Sequence, residues 1–351
     1  MKQQKSMSNY KSHRNITIDI IKAIAIITVI IGHCIQYGSG LDYLKNGLFY
    51  ENPIFKFIYS FHMPLFMLIS GYLFAFSINK GIKKNISNKL KVLIIPIFTW
   101  AFVPVCFHII NNWTNNLSFN HIFNLYFSTA IHHLWFLWAV FWCSSIVLCI
   151  FYFMKNNIYI YISLWIFSFF IPDNYNIGLY KFMFPYFVIG FLYNFKTQLK
   201  QIQIHKNIYF HIMTGLIFSI LLFFYNRNAY IYTSGHYIGN NNIIIQMTIN
   251  LYRYVIGLIG SIFIILTIIR TYTYSKYLES VFTYIGQRTM GIYIISGFIN
   301  IYILTSLTYQ FKIINFWIIS IETICTLILS LITINIIQHN KIFNRLLLGS
   351  K

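Results

Sequence analysis

The sequence predicts an all-α polytopic integral membrane protein of about ten transmembrane helices, with both termini cytoplasmic. Three observations carry that reading. First, the 351 residues are 58% hydrophobic and 9% charged, whereas a soluble domain carries about 25% charged residues. Second, apolar runs of roughly 20 residues recur along the whole length, and in a bilayer the backbone must satisfy its own hydrogen bonds, so these runs are helices. Third, Lys and Arg are asymmetric: with the N-terminus inside, 19 fall in inner segments and five (Lys45, Lys56, Lys181, Arg227 and Lys312) in outer ones, as the positive-inside rule requires. Clustering between apolar runs encodes topology, so the net charge of +20 does not point to nucleic acid.

The first crossing, 16–37, follows the basic stretch MKQQKSMSNYKSHR. No small-residue cleavage site comes after it, so it reads as a retained helix and not a signal peptide. The second, 54–77, contains His62 and Pro64; proline frees backbone carbonyls there, which suits a cavity wall. The third is 92–110. The fourth, 134–154, opens on HHLWFLWAVF. The fifth and sixth, 157–171 and 179–195, are short and fit a re-entrant pair equally well. The rest are 208–225, 245–269, 290–308 and 313–337. The outer loops 111–133 and 226–244 are too small to fold alone. The chain therefore reads as one membrane-embedded domain over 1–351, with a basic cytoplasmic N-terminus (1–15) and a basic cytoplasmic tail (338–351). Cys34, Cys106, Cys143, Cys149 and Cys325 lie in apolar runs without a CxxC pair and read as buried small hydrophobes; no metal site is expected.

Ionisable groups at membrane depth mark function. The first helix carries Asp19, Lys22 and His33. At about 100° per residue they share an arc of about 60°, and Lys22 and His33 lie about 16 Å apart along the axis. The stripe reads as two stations along one polar route. Lys22 also has a bland reading as an interfacial anchor, and Asp19 as a helix-start anion paired with Lys22. His62, Arg253 and Glu322 enter from the outer side, and His133 with Trp135 stands at the outer end of the fourth helix.

At IDIIKAIAIITVIIGH and FHMPLFMLISGY the chain resembles the acyltransferase-3 family of bacterial membrane O-acyltransferases, in the branch that acetylates sugars and exopolysaccharides. The family's Arg-x10-His pattern stands here as Lys22-x10-His33. Further matches are HLWFL at 133–137, PYFVIGFL at 185–192 and YIGQRTMGIYIIS at 284–296. Two departures stand out: lysine replaces arginine at 22, losing the forked donor geometry, and Ser296 stands where many members carry histidine.

The resemblance implies transfer of an acyl group, most often acetyl, from cytoplasmic acyl-CoA to a hydroxyl of a sugar or surface glycan. Lys22, helped by the basic loop 80–91, offers charge to the CoA phosphates. His33 is the expected general base or acyl relay, with activity falling below about pH 6.5. His62 is a second relay, Glu322 the candidate orienting carboxylate, and Arg253 a group for the oxyanion or the glycan, with His133 and Trp135 on the acceptor side. The rival reading is an exporter of a glycan or lipid-linked sugar through the same channel; a third is an interaction protein with a dead site. A homo-oligomer is left open.

Overall fold

The computed structural model describes residues 15–111, 118–197, 207–239, 242–271, 276–308 and 316–349. The expected basic N-terminus up to residue 14, Lys312 and the last two residues lie outside them. Helix is the regular structure of the described residues, which contain no strand. The principal helices are α1 (Ile16–Tyr37), α2 (Pro53–Ala75), α3 (Ile82–Ile110), α4 (Phe119–His132), α5 (Trp135–Phe153), α6 (Ile158–Ser168), α7 (Ile177–Thr197), α8 (Ile208–Phe223), α9 (Ile243–Thr271), α10 (Lys276–Gly286), α11 (Thr289–Leu307), α12 (Phe316–His339) and α13 (Lys341–Leu347).

Each of the ten expected segments is helical over most of its described length, residues 313–315 of the last lying outside the described residues. Seven helices among the described residues are long and apolar enough to cross a membrane: α1, α2, α3, α5, α9, α11 and α12. Helices α6 and α8 are apolar but shorter; the 11 residues of α6 extend only about 17 Å. Helix α7 is long enough but less apolar, carrying Lys181 and Asn194.

Three expectations need correcting. Helix α3 starts at Ile82 and not near 92, because a π-turn at Leu90–Ile94 joins the basic segment Ile82–Lys89 to the apolar run. The outer loop 111–133 contains the helix α4, capped by the Ser118 side chain. The inner loop 270–289 contains α10. These helices are amphipathic or interfacial, and a search for long apolar runs passes over them.

Asparagine starts several helices. The side chains of Asn52, Asn157, Asn207 and Asn340 each accept from the first backbone N–H groups of α2, α6, α8 and α13. Such caps satisfy donors that have no partner inside the helix. Pro64 leaves α2 unbroken. Its ring lies where a Cβ on Gly257 of α9 would meet it, at 2.9 Å, so the glycine makes room for the proline.

Helices α1 and α2 occupy the centre. Helix α1 packs against α2, α9, α10, α11 and α12, and α2 against α7, α9, α5 and α8. The α2–α7 crossing brings two backbones together: a Cβ on Gly71 would stand 2.0 Å from the Phe187 carbonyl oxygen, and one on Gly190 2.0 Å from that of Leu68. Small residues allow this backbone contact, the usual basis of helix association in lipid. It fixes the depth and rotation of α2, and with them His62.

Candidate active site

Four histidines, His33, His62, His132 and His133, line a cavity of about 490 Å³ at the C-terminal end of α1. His33 comes from the last turns of α1, His62 from α2, and His133 from the turn between α4 and α5. His33 is an electrostatic neighbour of both His133 and His62. The remaining wall is largely aromatic, with Tyr37, Tyr50, Tyr59, Trp135, Tyr232 and Tyr302 among its residues. Trp135 and His133, placed on the acceptor side from the sequence, both line this cavity.

The histidines are held differently. His62 is 2% exposed, and its Nδ1 lies 2.8 Å from the Ile58 carbonyl. A carbonyl only accepts, so Nδ1 carries the proton and Nε2 keeps its lone pair. The Tyr59 ring packs edge-on against it at 4.6 Å. His33 Nδ1 is buried with no hydrogen-bond partner among the described residues, so nothing there fixes its tautomer. The His133 ring stacks on Phe298, centroids 4.2 Å apart.

A second cavity of about 170 Å³ lies toward the N-terminal end of α1, with Lys22, Ile26 and Val29 as its α1 wall. Positions 22, 26, 29 and 33 repeat at helical spacing on one face, so Lys22 and His33 of the stripe read from the sequence stand one in each cavity, while Asp19 lines neither. Lys22 Nζ is 2.8 Å from Asp19 Oδ1, the i,i+3 pair expected. The Asp19 carboxylate is buried and Lys22 partly exposed.

Glu322 stands apart from His33. Its carboxylate lies against Gly38, where a Cβ would come within 2.1 Å of Oε2, and it is an electrostatic neighbour of Cys34. Those positions are about 140° and 100° round α1 from His33. Glu322 does not line the His33 cavity, so it is not placed to orient that imidazole. Both its oxygens are buried without a hydrogen-bond partner among the described residues. Ser296 is also buried, its hydroxyl facing the Tyr293 carbonyl, and it is the neighbouring Gly297 that reaches the cavity.

Arg253 is committed to the protein itself. Its Nε donates to the Ala229 carbonyl at 2.9 Å, Nη1 to Asn250 Oδ1 at 2.9 Å and to the Gly235 carbonyl, and Nη2 to the Asn228 carbonyl at 3.0 Å and to Ser234 Oγ. These bonds gather residues 228–235 into a roof whose Tyr232 lines the histidine cavity. Arg253 lines only a small side pocket of about 30 Å³ behind it, shared with His62 and Trp135.

A second clamp, which the sequence did not single out, holds the end of the roof. Asp173 accepts from the backbone N–H groups of His236 and Tyr237 and pairs with Lys181 Nζ at 2.6 Å. Burial raises the Asp173 pKa, but the bonds from Lys181 and the two N–H groups outweigh it and leave the carboxyl below its ordinary value. The fully buried His236 contacts the Tyr254 hydroxyl through Nε2 at 2.7 Å and stacks on Phe169.

Burial, and then Lys181, push the His236 pKa down to about 3, against the opposing pull of Asp173. The unfolded value is about 6.5. The neutral ring's contribution to stability is therefore complete above about pH 6.5 and is lost as the pH falls toward about 3, by up to about 1.4 kcal/mol per unit. We expect proteolytic protection of residues 226–238 to fall between pH 7 and pH 5. His236→Gln should flatten that dependence; an unchanged slope in the variant would assign the sensitivity elsewhere.

Residues 15–335 match the acyltransferase-3 family profile, described as an acyltransferase domain. Over 193 residues the chain is 32% identical to "Nodulation protein NolL" of Mesorhizobium japonicum, covering 52% of this chain and 48% of that protein. Over 142 residues it is 34% identical to "Nodulation protein NolL" of Sinorhizobium fredii, covering 38% and 36%. The matches thus span about half or less of the curated relatives' length. No solved structure matches. The family match runs from the start of α1 to the last turns of α12, through every element that lines the two cavities; this multi-pass membrane protein belongs to the acyltransferase-3 family.

Proposed function

We propose that this chain is an O-acetyltransferase. It takes the acetyl group of acetyl-CoA, bound from the inner side, and places it on a hydroxyl of a sugar or surface glycan held in the outer cavity. The observation that carries the reading is the pair of cavities on one face of α1, with a cation at the inner one and histidines at the outer one. Lys22 meets the phosphates of CoA as a point charge. Aromatic faces with hydroxyls at their rims suit a sugar ring in the outer cavity.

In this reading His33 is the general base. A sugar hydroxyl is a weak nucleophile near neutrality, and a neutral imidazole accepts its proton as the oxygen attacks. The hydroxyl oxygen bonds to the thioester carbonyl carbon, a tetrahedral intermediate forms, and the carbon–sulfur bond breaks. The departing thiolate takes the proton back from the imidazolium, leaving the acetyl ester and free CoA thiol. His62, whose Nε2 lone pair is fixed by the bond to Ile58, relays the proton beside it. Arg253 acts here as a positioning residue for the roof and not as a donor to the oxyanion. Asp19 holds Lys22 in place, and Glu322 is assigned no step.

The test is purified protein in liposomes with radiolabelled acetyl-CoA and candidate glycans. Label arriving on the glycan supports the enzyme. Glycan movement across the bilayer without acyl transfer would replace it with the exporter.

A further inference from the structure

Met63 and Tyr293 are the two residues, among those described, that line both cavities. They come from different helices, α2 and α11, and converge on the same level of α1. Along the α1 wall the inner cavity ends at Val29 and the outer one begins at His33, one helical turn or about 6 Å further on. The partition between donor and acceptor chambers is therefore thin and made of these two side chains.

Resting on the acetyltransferase reading, we infer that Met63 and Tyr293 form a constriction that the donor thioester must pass, and that it sets the length of the acyl group transferred. The two sides are unlike. The Tyr293 ring is braced edge-on by Phe136 at 5.8 Å, and Phe136 in turn by Phe66 at 5.8 Å. Met63 is unbranched, with three rotatable bonds, and yields where a rigid side chain would not. Its neighbour His62 is fixed by the Ile58 carbonyl and the Tyr59 ring, so the backbone that carries Met63 stays in place while its side chain swings. Such an opening admits a thin chain ending in a small acyl group. A longer acyl tail would have to fit between the constriction and His33, where α1 offers about one turn.

The experiment compares acetyl-CoA with butyryl-CoA as donors, on one glycan acceptor, in the full-length protein in liposomes. Met63→Ala should raise the butyryl-to-acetyl ratio of kcat/KM by roughly tenfold or more, since single methylenes against an apolar wall are discriminated at roughly 10- to 200-fold. Met63→Trp should lower kcat/KM for acetyl-CoA at least about tenfold. Tyr293→Leu opens the other side and should shift the ratio as Met63→Ala does; it decides the matter should Met63→Ala fail to fold. A ratio unmoved in the folded variants, with wild-type acetyl transfer intact, overturns the constriction and leaves the acetyltransferase standing. A wild type that transfers no acyl group from either donor overturns both.

Discussion

His33→Ala is expected to reduce acetyl transfer to the glycan by about 10²- to 10⁴-fold, the usual worth of a positioned general base. The protein should still fold, because the His33 Nδ1 makes no hydrogen bond among the described residues and the ring stands at the wall of a cavity of about 490 Å³. The neighbouring histidine is the natural control. His62 is bonded to the Ile58 carbonyl and packed by Tyr59, so His62→Ala should cost both activity and stability. The wild-type rate should fall on the acid side as the base is protonated. In His33→Ala that limb should vanish from the residual activity. Full activity in His33→Ala, or an acid limb that persists there and disappears in His62→Ala, would transfer the role of base to His62.

Lys22→Ala is expected to remove most of the activity, and Lys22→Arg to keep it. The loss should appear as a raised KM for acetyl-CoA with the acceptor KM unchanged, since Lys22 lines the inner cavity alone. A complication comes from Asp19, whose buried carboxylate is 2.8 Å from the lysine. Removing the cation takes away one of the groups that balance this charge, and breaking a buried pair by deleting one partner is destabilising. Asp19→Asn combined with Lys22→Ala separates the effects. If the double variant regains thermal stability in detergent but not its affinity for acetyl-CoA, the lysine serves the donor. Equal donor KM in Lys22→Ala and the wild type would reduce the residue to an interfacial anchor.

The stripe on α1 shows what a sequence can reveal. Asp19, Lys22 and His33 are charged or polar in an apolar run, and helical geometry alone puts them on one face. The relative depth of each follows from its distance to the helix ends, so two levels on one face are legible from the sequence alone. The helical class and the approximate position of most apolar segments were legible for the same reason, as local patterns with a fixed period, and the family motifs as short local runs.

What the sequence could not supply was which groups face one another. His62 and Arg253 look alike as isolated polar residues in apolar helices, yet one lines the cavity while the other is spent on the roof, because four of its hydrogen bonds fall on a loop 18 to 25 positions away. Glu322 shares the depth of His33 but sits about 140° round α1, at Gly38. The Asp173–Lys181 clamp joins a turn to a helix, and nothing in either segment announces the His236 backbone as its target. The amphipathic α4 and α10 carry no long apolar run. Local periodicity thus settled the class, the helices and the α1 stripe. Helix rotation and loop closure, which depend on contacts such as Gly71 against Phe187, decided the site, because the side of a helix that meets a cavity is fixed by its neighbours and not by its own residues.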